Sequence, residues 1–253
     1  MDSEHKKTAP GGAVFVVGLG PGDPESLTPR ADRALRECGL IVGYSGYTGP
    51  LRPRYPDKEY SSTGMTGEAD RCRVALDRAA AGERVALVCS GDPEIYGMAG
   101  LLLQLRGSAA VPAVEVIPGI TAACSGGALL GAPLGCDFCT VSLSDRLTPW
   151  ETIAARLSAA AAGDFVIVLY NPASRGRPEH LRRACEVLLR VLPPDRPCGL
   201  VRNVGREGER CRLLTLAELR EAAADMFCTA FVGSSATLRL GNALVTPRGY
   251  RGL

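Results

Sequence analysis

Short apolar, β-branched runs that stop abruptly at glycine recur along this chain, and they restrict its fold more than any other feature. The sharpest spans Arg84 to Gly100, R-V-A-L-V-C-S-G-D-P-E-I-Y-G-M-A-G. Val85 to Cys89 has the length and composition of a strand buried on both faces. Ser90-Gly91-Asp92-Pro93 breaks it, and small and apolar residues then resume through Leu105, as in a helix. Ala13 to Val17 runs the same way into Gly18-Leu19-Gly20-Pro21-Gly22-Asp23-Pro24, with Thr28 and Pro29 suited to cap and begin a helix over Arg30 to Cys38. Val114 to Ile117 ends at Pro118-Gly119-Ile120-Thr121-Ala122 ahead of a small-residue helix reaching Leu130. Three such units in succession predict a parallel, helix-covered sheet. In sheets of that kind ligands bind beyond the carboxyl ends of the strands, where loop amides and helix N-termini are unpaired.

Between these units, Leu40 to Gly43 reads as a strand, Tyr44 to Met65 as irregular surface and Thr66 to Ala81 as a helix. Gly131-Ala132-Pro133-Leu134-Gly135 interrupts the pattern. The expected division is a tail over 1–12, one α/β domain over 13–134 and a second over 135–253. The second half predicts a strand over Phe138 to Leu143, a helix capped by Thr148 and opened by Pro149, and a strand over Asp164 to Tyr170 ended by Asn171-Pro172. A helix over Pro178 to Leu192 follows, its charges Arg182, Arg183, Glu186 and Arg190 facing water. Strands at Cys198 to Arg202, Leu213 to Thr215 and Cys228 to Val232, with a helix over Leu216 to Ala223, complete it.

Composition excludes several functions. The 29 basic and 27 acidic residues leave a net charge of +2, too weak a field for a nucleic-acid-coating surface. Nearly all the basic residues are Arg, which suits bidentate recognition of carboxylate or phosphate. No apolar run approaches the ~20 residues that cross a bilayer, and Met1 to Gly12 lack the apolar core of a secretory signal. The 10 cysteines are scattered, and with two histidines, His5 and His180, they offer no metal-ligand spacing. A reduced, cytoplasmic protein without a metal site is expected. In the first loop Asp23 stands where a dinucleotide fingerprint needs its third glycine. There is no phosphate-binding G-x-x-x-x-G-K, and Ser90 lacks the surroundings of a nucleophile elbow.

G-L-G-P-G-D at Gly18 to Asp23, G-D-P-E-I-Y-G at Gly91 to Gly97 and P-G-I-T-A at Pro118 to Ala122 together resemble the tetrapyrrole methylases, S-adenosylmethionine-dependent methyltransferases of the cobalamin and sirohaem pathways. The resemblance extends through S-S-T-G-M (Ser61 to Met65), L-S-D-R-L-T-P-W-E (Leu143 to Glu151), Y-N-P-A-S (Tyr170 to Ser174), R-N-V-G-R-E-G-E (Arg202 to Glu209) and V-T-P-R-G-Y (Val245 to Tyr250). It implies two α/β/α domains with an S-adenosylmethionine cleft between them, a precorrin acceptor, and a homodimer. It further implies a donor site of Pro21, Ser90, Gly91, Asp92, Ile95, Thr121, Ala122, Asn171 and Val204. Backbone groups and an apolar wall suit a zwitterionic donor bearing an adenine.

The acceptor is a polycarboxylate macrocycle, so Arg30, Arg146, Arg175, Arg177, Arg202 and Arg206 are its candidate partners, although each alone also reads as a solvated surface charge. Asp23 is the candidate catalytic residue, and stabilising a helix N-terminus is its alternative role. A sister methylase acting at another ring position is the alternative activity. The implied reaction moves protons as the ring contracts. Relatives often carry a histidine in the stretch that here reads Gly135-Cys136-Asp137-Phe138, so no histidine base is carried over to it.

Overall fold

The computed structural model describes residues 11–250, so the expected tail over 1–12 lies outside the described residues save for its last two. The chain divides into two compact units, one ending at Thr121 and the other beginning at Ala122. That division precedes the small-residue helix, where the expectation placed it after, at Gly135.

The first unit runs β1 (Ala13–Gly18), α1 (Pro29–Glu37), β2 (Leu40–Tyr44), α2 (Ser45–Thr48), β3 (Glu59–Thr63), α3 (Glu68–Ala80), β4 (Arg84–Cys89), α4 (Ala99–Arg106) and β5 (Ala113–Ile117). Its sheet has the order β3-β2-β4-β1-β5 and is parallel throughout. Alternate residues of each strand face opposite ways, so one sheet has two cores. Phe15, Val17, Ile41, Ala86 and Val88 pack with Ala31, Ala34 and Leu35 of α1 and with Tyr55. Val14, Val16, Leu40, Val42, Val85 and Leu87 pack with Cys72, Ala75 and Ala79 of α3 and Leu102 of α4. This explains why β1 and β4 read as continuous apolar runs. Helix α1 starts as expected, Thr28 Oγ1 accepting from Ala31 N at 3.1 Å with Pro29 in the first turn.

One expectation fails here. Tyr44 to Met65 is not wholly irregular, because Glu59–Thr63 pairs in parallel with β2 as an edge strand. Its residues are polar and largely half-exposed, so it carries no apolar signature.

The second unit comprises α5 (Ala122–Leu130), β6 (Gly131–Ala132), β7 (Phe138–Ser142), α6 (Trp150–Ala162), β8 (Val166–Tyr170), α7 (His180–Leu188), β9 (Pro197–Arg202), β10 (Arg210–Thr215), α8 (Leu216–Arg220), β11 (Cys228–Val232), β12 (Leu238–Leu240) and β13 (Ala243–Val245). Its main sheet, β10-β9-β11-β8-β7, is mixed: β7 and β8 are parallel, while β11 runs against β8 and β9. Helices α6, α7 and α8 cover one face through Ile153, Leu157, Leu181, Ala184, Leu188, Leu216 and Leu219. Helix α5 covers the other, Ala123 and Leu130 meeting Val168, Val201 and Phe231. A Cβ on Gly126 would stand 2.8 Å from Val201 Cγ2, so the small-residue helix is pressed onto this sheet and belongs to this unit.

Other boundaries also shift. Pro149, not Thr148, is the N-cap of α6, and α7 is shorter than the expected 178–192. The hairpin β12–β13, with β6 beside it, was not foreseen. Its strands are three residues long, and Leu238 and Leu240 are exposed. All ten cysteines are free thiols, six of them buried. Burial pushes the Cys38, Cys89 and Cys185 thiols up to about 12, so they act as packing groups. Among the described residues no helix is long and apolar enough to cross a membrane.

Candidate functional site

In the first unit the three glycine-marked corners come together because β4, β1 and β5 are neighbours and parallel, so their carboxyl ends share one edge. The chain passes from β1 outward to β2 and β3, then returns to β4 and crosses to β5, so the order reverses between β1 and β4. That is the switch point at which open α/β sheets bind ligands. The loops there are joined by main chain. Gly20 N donates to Gly91 O at 3.1 Å and Gly91 N to Gly20 O at 2.7 Å, while Leu19 N donates to Cys89 O at 2.9 Å.

No side chain fits between these loops. A Cβ on Gly119 would lie 2.2 Å from Gly91 O, and one on Gly18 would lie 2.6 Å from Gly119 N. Gly91 also has φ +65°, a left-handed conformation that glycine adopts without strain.

Asp92 braces the corner. Its Oδ1 accepts from Glu94 N at 2.8 Å and its Oδ2 from Gly119 N at 3.1 Å, tying the β4 loop to the β5 loop. Ile95, Tyr96 and Ile120 are exposed apolar side chains on the same loops, and Tyr96 has φ +57°. Pro21 is buried, while Ser90 and Thr121 are half-buried. Close-packed backbone beside apolar surface is what a nucleoside with charged polar substituents needs, so these residues fit the implied donor. Asp23 lies in the first loop as the N-cap of the turn Pro24–Ser26, its Oδ1 accepting from Ser26 N at 2.7 Å. Partial burial raises its carboxyl pKa, but the Ser26 bonds prevail and hold it below the usual range. Asp23 thus caps the turn that follows the first glycine loop.

In the second unit the parallel strands β7, β8 and β9 end at one edge. Tyr170 Oη accepts from Ala123 N at 2.8 Å, which sets the start of α5 against the end of β8. Tyr170 and Val204 both pack on the cluster of Ala123 and Phe231. Tyr170, which precedes Asn171, thus meets the start of α5, and Val204 packs on the cluster that this helix helps to form. Asn171 has φ +53° and Asn203 φ +55°, turning the chain at the ends of β8 and β9 where asparagine is tolerated. Asn171 Nδ2 donates to Ser142 Oγ at 2.9 Å.

The arginines fare differently from one another. Arg30 pairs with Glu115 at 2.7 Å. Arg202 pairs with Asp225 at 2.8 Å, and there burial raises the Asp225 carboxyl while the Arg202 bond brings it below its ordinary value. Arg206 lies 5.9 Å from the Phe227 ring centroid. Arg177 donates to Ser144 Oγ and, at 3.2 Å, to Ser174 Oγ. Arg146 and Arg175 are exposed and hold no partner among the described residues.

One group escaped sequence reasoning. His180 is buried at the start of α7, its Nε2 3.0 Å from Asp145 Oδ2, close in distance though not aligned as a hydrogen bond. The imidazole, with Arg177 3.7 Å away, holds the Asp145 carboxyl below its usual range. Trp150 meets the His180 ring edge to face at 5.3 Å, and Arg183 stacks on Trp150 at 3.9 Å, so Arg183 is not simply solvated. An aspartate and a histidine 35 positions apart show no spacing that links them, which is why the sequence did not reveal the pair.

The family model of the Tetrapyrrole (Corrin/Porphyrin) Methylases matches residues 13–220. The chain is 44% identical over 238 residues to the probable cobalt-factor III C(17)-methyltransferase of Salmonella typhimurium, covering 94% of this chain and 99% of that one. It is 41% identical over 250 residues to the precorrin-3B C(17)-methyltransferase of a Sinorhizobium species, covering 95% and 98%. Among solved structures, the methyltransferase CobJ superposes with a TM-score of 0.86 at 39% identity, covering 93% of this chain and all of that one. The uroporphyrin-III C-methyl transferase of Thermus thermophilus, crystallised with S-adenyl homocysteine, superposes with a TM-score of 0.70 at 27% identity, covering 88% and 97%. This chain belongs to the tetrapyrrole methylases, as its glycine corners implied.

Proposed function

We propose that this protein transfers a methyl group from S-adenosylmethionine to C17 of precorrin-3B or of its cobalt-containing counterpart, with contraction of the ring. The observation that carries the reading is the closed glycine corner at the switch point of β1, β4 and β5. Its residues are those of the family's signatures, in a chain that matches C17-methylating relatives along nearly their whole length. When bound, S-adenosylmethionine supplies both the methyl and its own leaving group.

What remains for the chain is alignment, since a methyl displacement gains chiefly from holding nucleophile and methyl in line and excluding water. Gly91 and the neighbouring backbone leave room for close approach of the donor, Asp92 fixes the spacing of the two loops, and Ile95 supplies apolar surface. The resemblance adds Ala122, Asn171 and Val204 of the second unit to the donor-binding set.

Incubating the protein with methyl-labelled donor and either macrocycle, and reading the product by mass and carbon NMR, tests the proposal. One label at C17 is expected. A label at another carbon assigns the chain to a sister reaction, and no label on either macrocycle overturns the reading.

A further inference from the structure

The candidate arginines are not equivalent. Arg30 and Arg202 are bonded to carboxylates, and Arg206 lies against an aromatic ring. An arginine already engaged must loosen that contact before it can take a substrate carboxylate. Arg146 and Arg175 have nothing to loosen. Unpaired surface arginines are common, so their setting decides the matter, and here the setting is built.

Arg146 lies in the loop after β7, and Arg175 is at the tip of a tight turn after β8 closed by Ser174 N to Arg177 O at 3.2 Å and Arg177 N to Ser174 O at 2.9 Å. Strands β7 and β8 are parallel neighbours, so the two loops leave the sheet at the same edge. Side chains join the loops at three levels. Asn171 bonds Ser142, which also accepts from Ser144 N at 3.3 Å; Arg177 bonds Ser144; and Asp145 sits between Arg177 and the buried His180. The chain's single tryptophan, Trp150, closes the base against His180. Asp145, the acid next to Arg146, is occupied by Arg177 and His180, so it does not neutralise its neighbour. The first turn of α6 follows directly, where the helix dipole favours anions, although Glu151 in that turn opposes it in part.

We infer that Arg146 and Arg175 form the subsite that grips the carboxylates of the tetrapyrrole acceptor, and that Asp145 is a positioning residue holding their two loops together. The inference rests on the reading of the acceptor class given above and goes beyond it by singling out two arginines. A guanidinium on a braced loop loses less freedom when it binds than one on a loose loop, and it offers a planar pair of donors to each carboxylate.

Uroporphyrin, a tetrapyrrole bearing carboxylates on every ring, is the probe, and quenching of Trp150 fluorescence is the signal. The wild-type protein is expected to bind it saturably. Arg146→Gln and Arg175→Gln should each weaken that binding about tenfold, the loss of one charge-assisted bidentate contact. S-adenosylhomocysteine binding, read by calorimetry, should stay unchanged. Arg190→Gln, beyond the far end of α7, makes the same charge change and should have no effect. Asp145→Ala should raise KM for the acceptor with kcat held, and Asp145→Asn, which keeps an acceptor oxygen, should recover most of the loss.

Uroporphyrin binding equal in Arg146→Gln, Arg175→Gln and Arg190→Gln would overturn the inference while leaving the labelled-methyl result intact. Wild-type protein that methylates its macrocycle but fails to quench with uroporphyrin would overturn it too. Absence of methyl transfer in the wild type would instead overturn the function proposed above.

Discussion

The carboxyl edges of the two sheets are built by opposite means. In the first unit the edge is main chain: Gly18, Gly91 and Gly119 close on one another and a single aspartate spaces the loops. In the second unit the corresponding edge is side chain, with Asn171 on Ser142, Arg177 on Ser144, Arg202 on Asp225 and His180 beside Asp145. Backbone cannot be exchanged by substitution, so the first edge suits a ligand common to a whole family. Side chains can be exchanged one at a time, so the second suits what distinguishes one member from its sisters. Of the five segments that extend the resemblance beyond the shared glycine signatures, four lie in the second unit, Leu143 to Glu151, Tyr170 to Ser174, Arg202 to Glu209 and Val245 to Tyr250, which accords with that division.

The comparison breaks most visibly at Gly119. A methyl group there meets Gly91 O at 2.2 Å with only backbone to give way, so Gly119→Ala should abolish S-adenosylhomocysteine binding in calorimetry and cost about 3 kcal/mol in urea unfolding. Retained affinity would show that the closed corner is not the donor's seat. Asp92→Ala should act next most strongly, weakening the same ligand about tenfold by leaving Gly119 N without its partner. Asn171 sharpens the contrast, because its left-handed backbone can be separated from its side chain. Asn171→Ala should lose about 1–2 kcal/mol of stability, while Asn171→Gly, which loses the Ser142 bond but relieves the backbone, should lose less. Equal losses would mean the conformation at that corner carries no strain.

Acid should act on the first unit through Asp32. The Arg36 bond lowers its carboxyl to about 2 from 3.8, burial opposes this, and Tyr55 Oη at 2.6 Å and Arg54 assist. Its folded pKa is depressed, so its stabilisation is complete above pH ~4 and is lost as pH falls toward 2. That amounts to about 1–2 kcal/mol once screening is allowed for. Asp32→Asn should therefore flatten the pH dependence of unfolding in that window. The smallest effect belongs to Arg30→Gln, whose exposed pair with Glu115 should change the melting temperature by no more than about 0–1 kcal/mol allows.

What the sequence disclosed divides along similar lines. Val14, Val16, Val85 and Leu87 announce their strands because a doubly covered parallel sheet forces continuous apolar runs, and Thr28-Pro29 announces α1 because a cap is a local device. Edge strand β3 was silent because Glu59, Tyr60 and Ser61 need bury only part of themselves. The unit boundary was misplaced because Gly126 joins α5 to Val201 and Phe231, partners far along the chain that no local pattern names. At the site the glycine corners were legible as motifs. The standing of each arginine was not, since Glu115 and Asp225 lie far from Arg30 and close to Arg202 without any rule that marks them as partners.

The order β3-β2-β4-β1-β5 bears on how the chain is synthesised. Of the described strands β1 leaves the ribosome first, yet both of its flanking positions are taken by segments that begin at Arg84 and Ala113. Until Ile117 has emerged, the strand that carries the first glycine loop has no permanent neighbour on one side, and its valines remain open to unwanted partners. A nascent polypeptide halted before β5 should therefore engage holding chaperones that release it once that segment is clear of the exit tunnel.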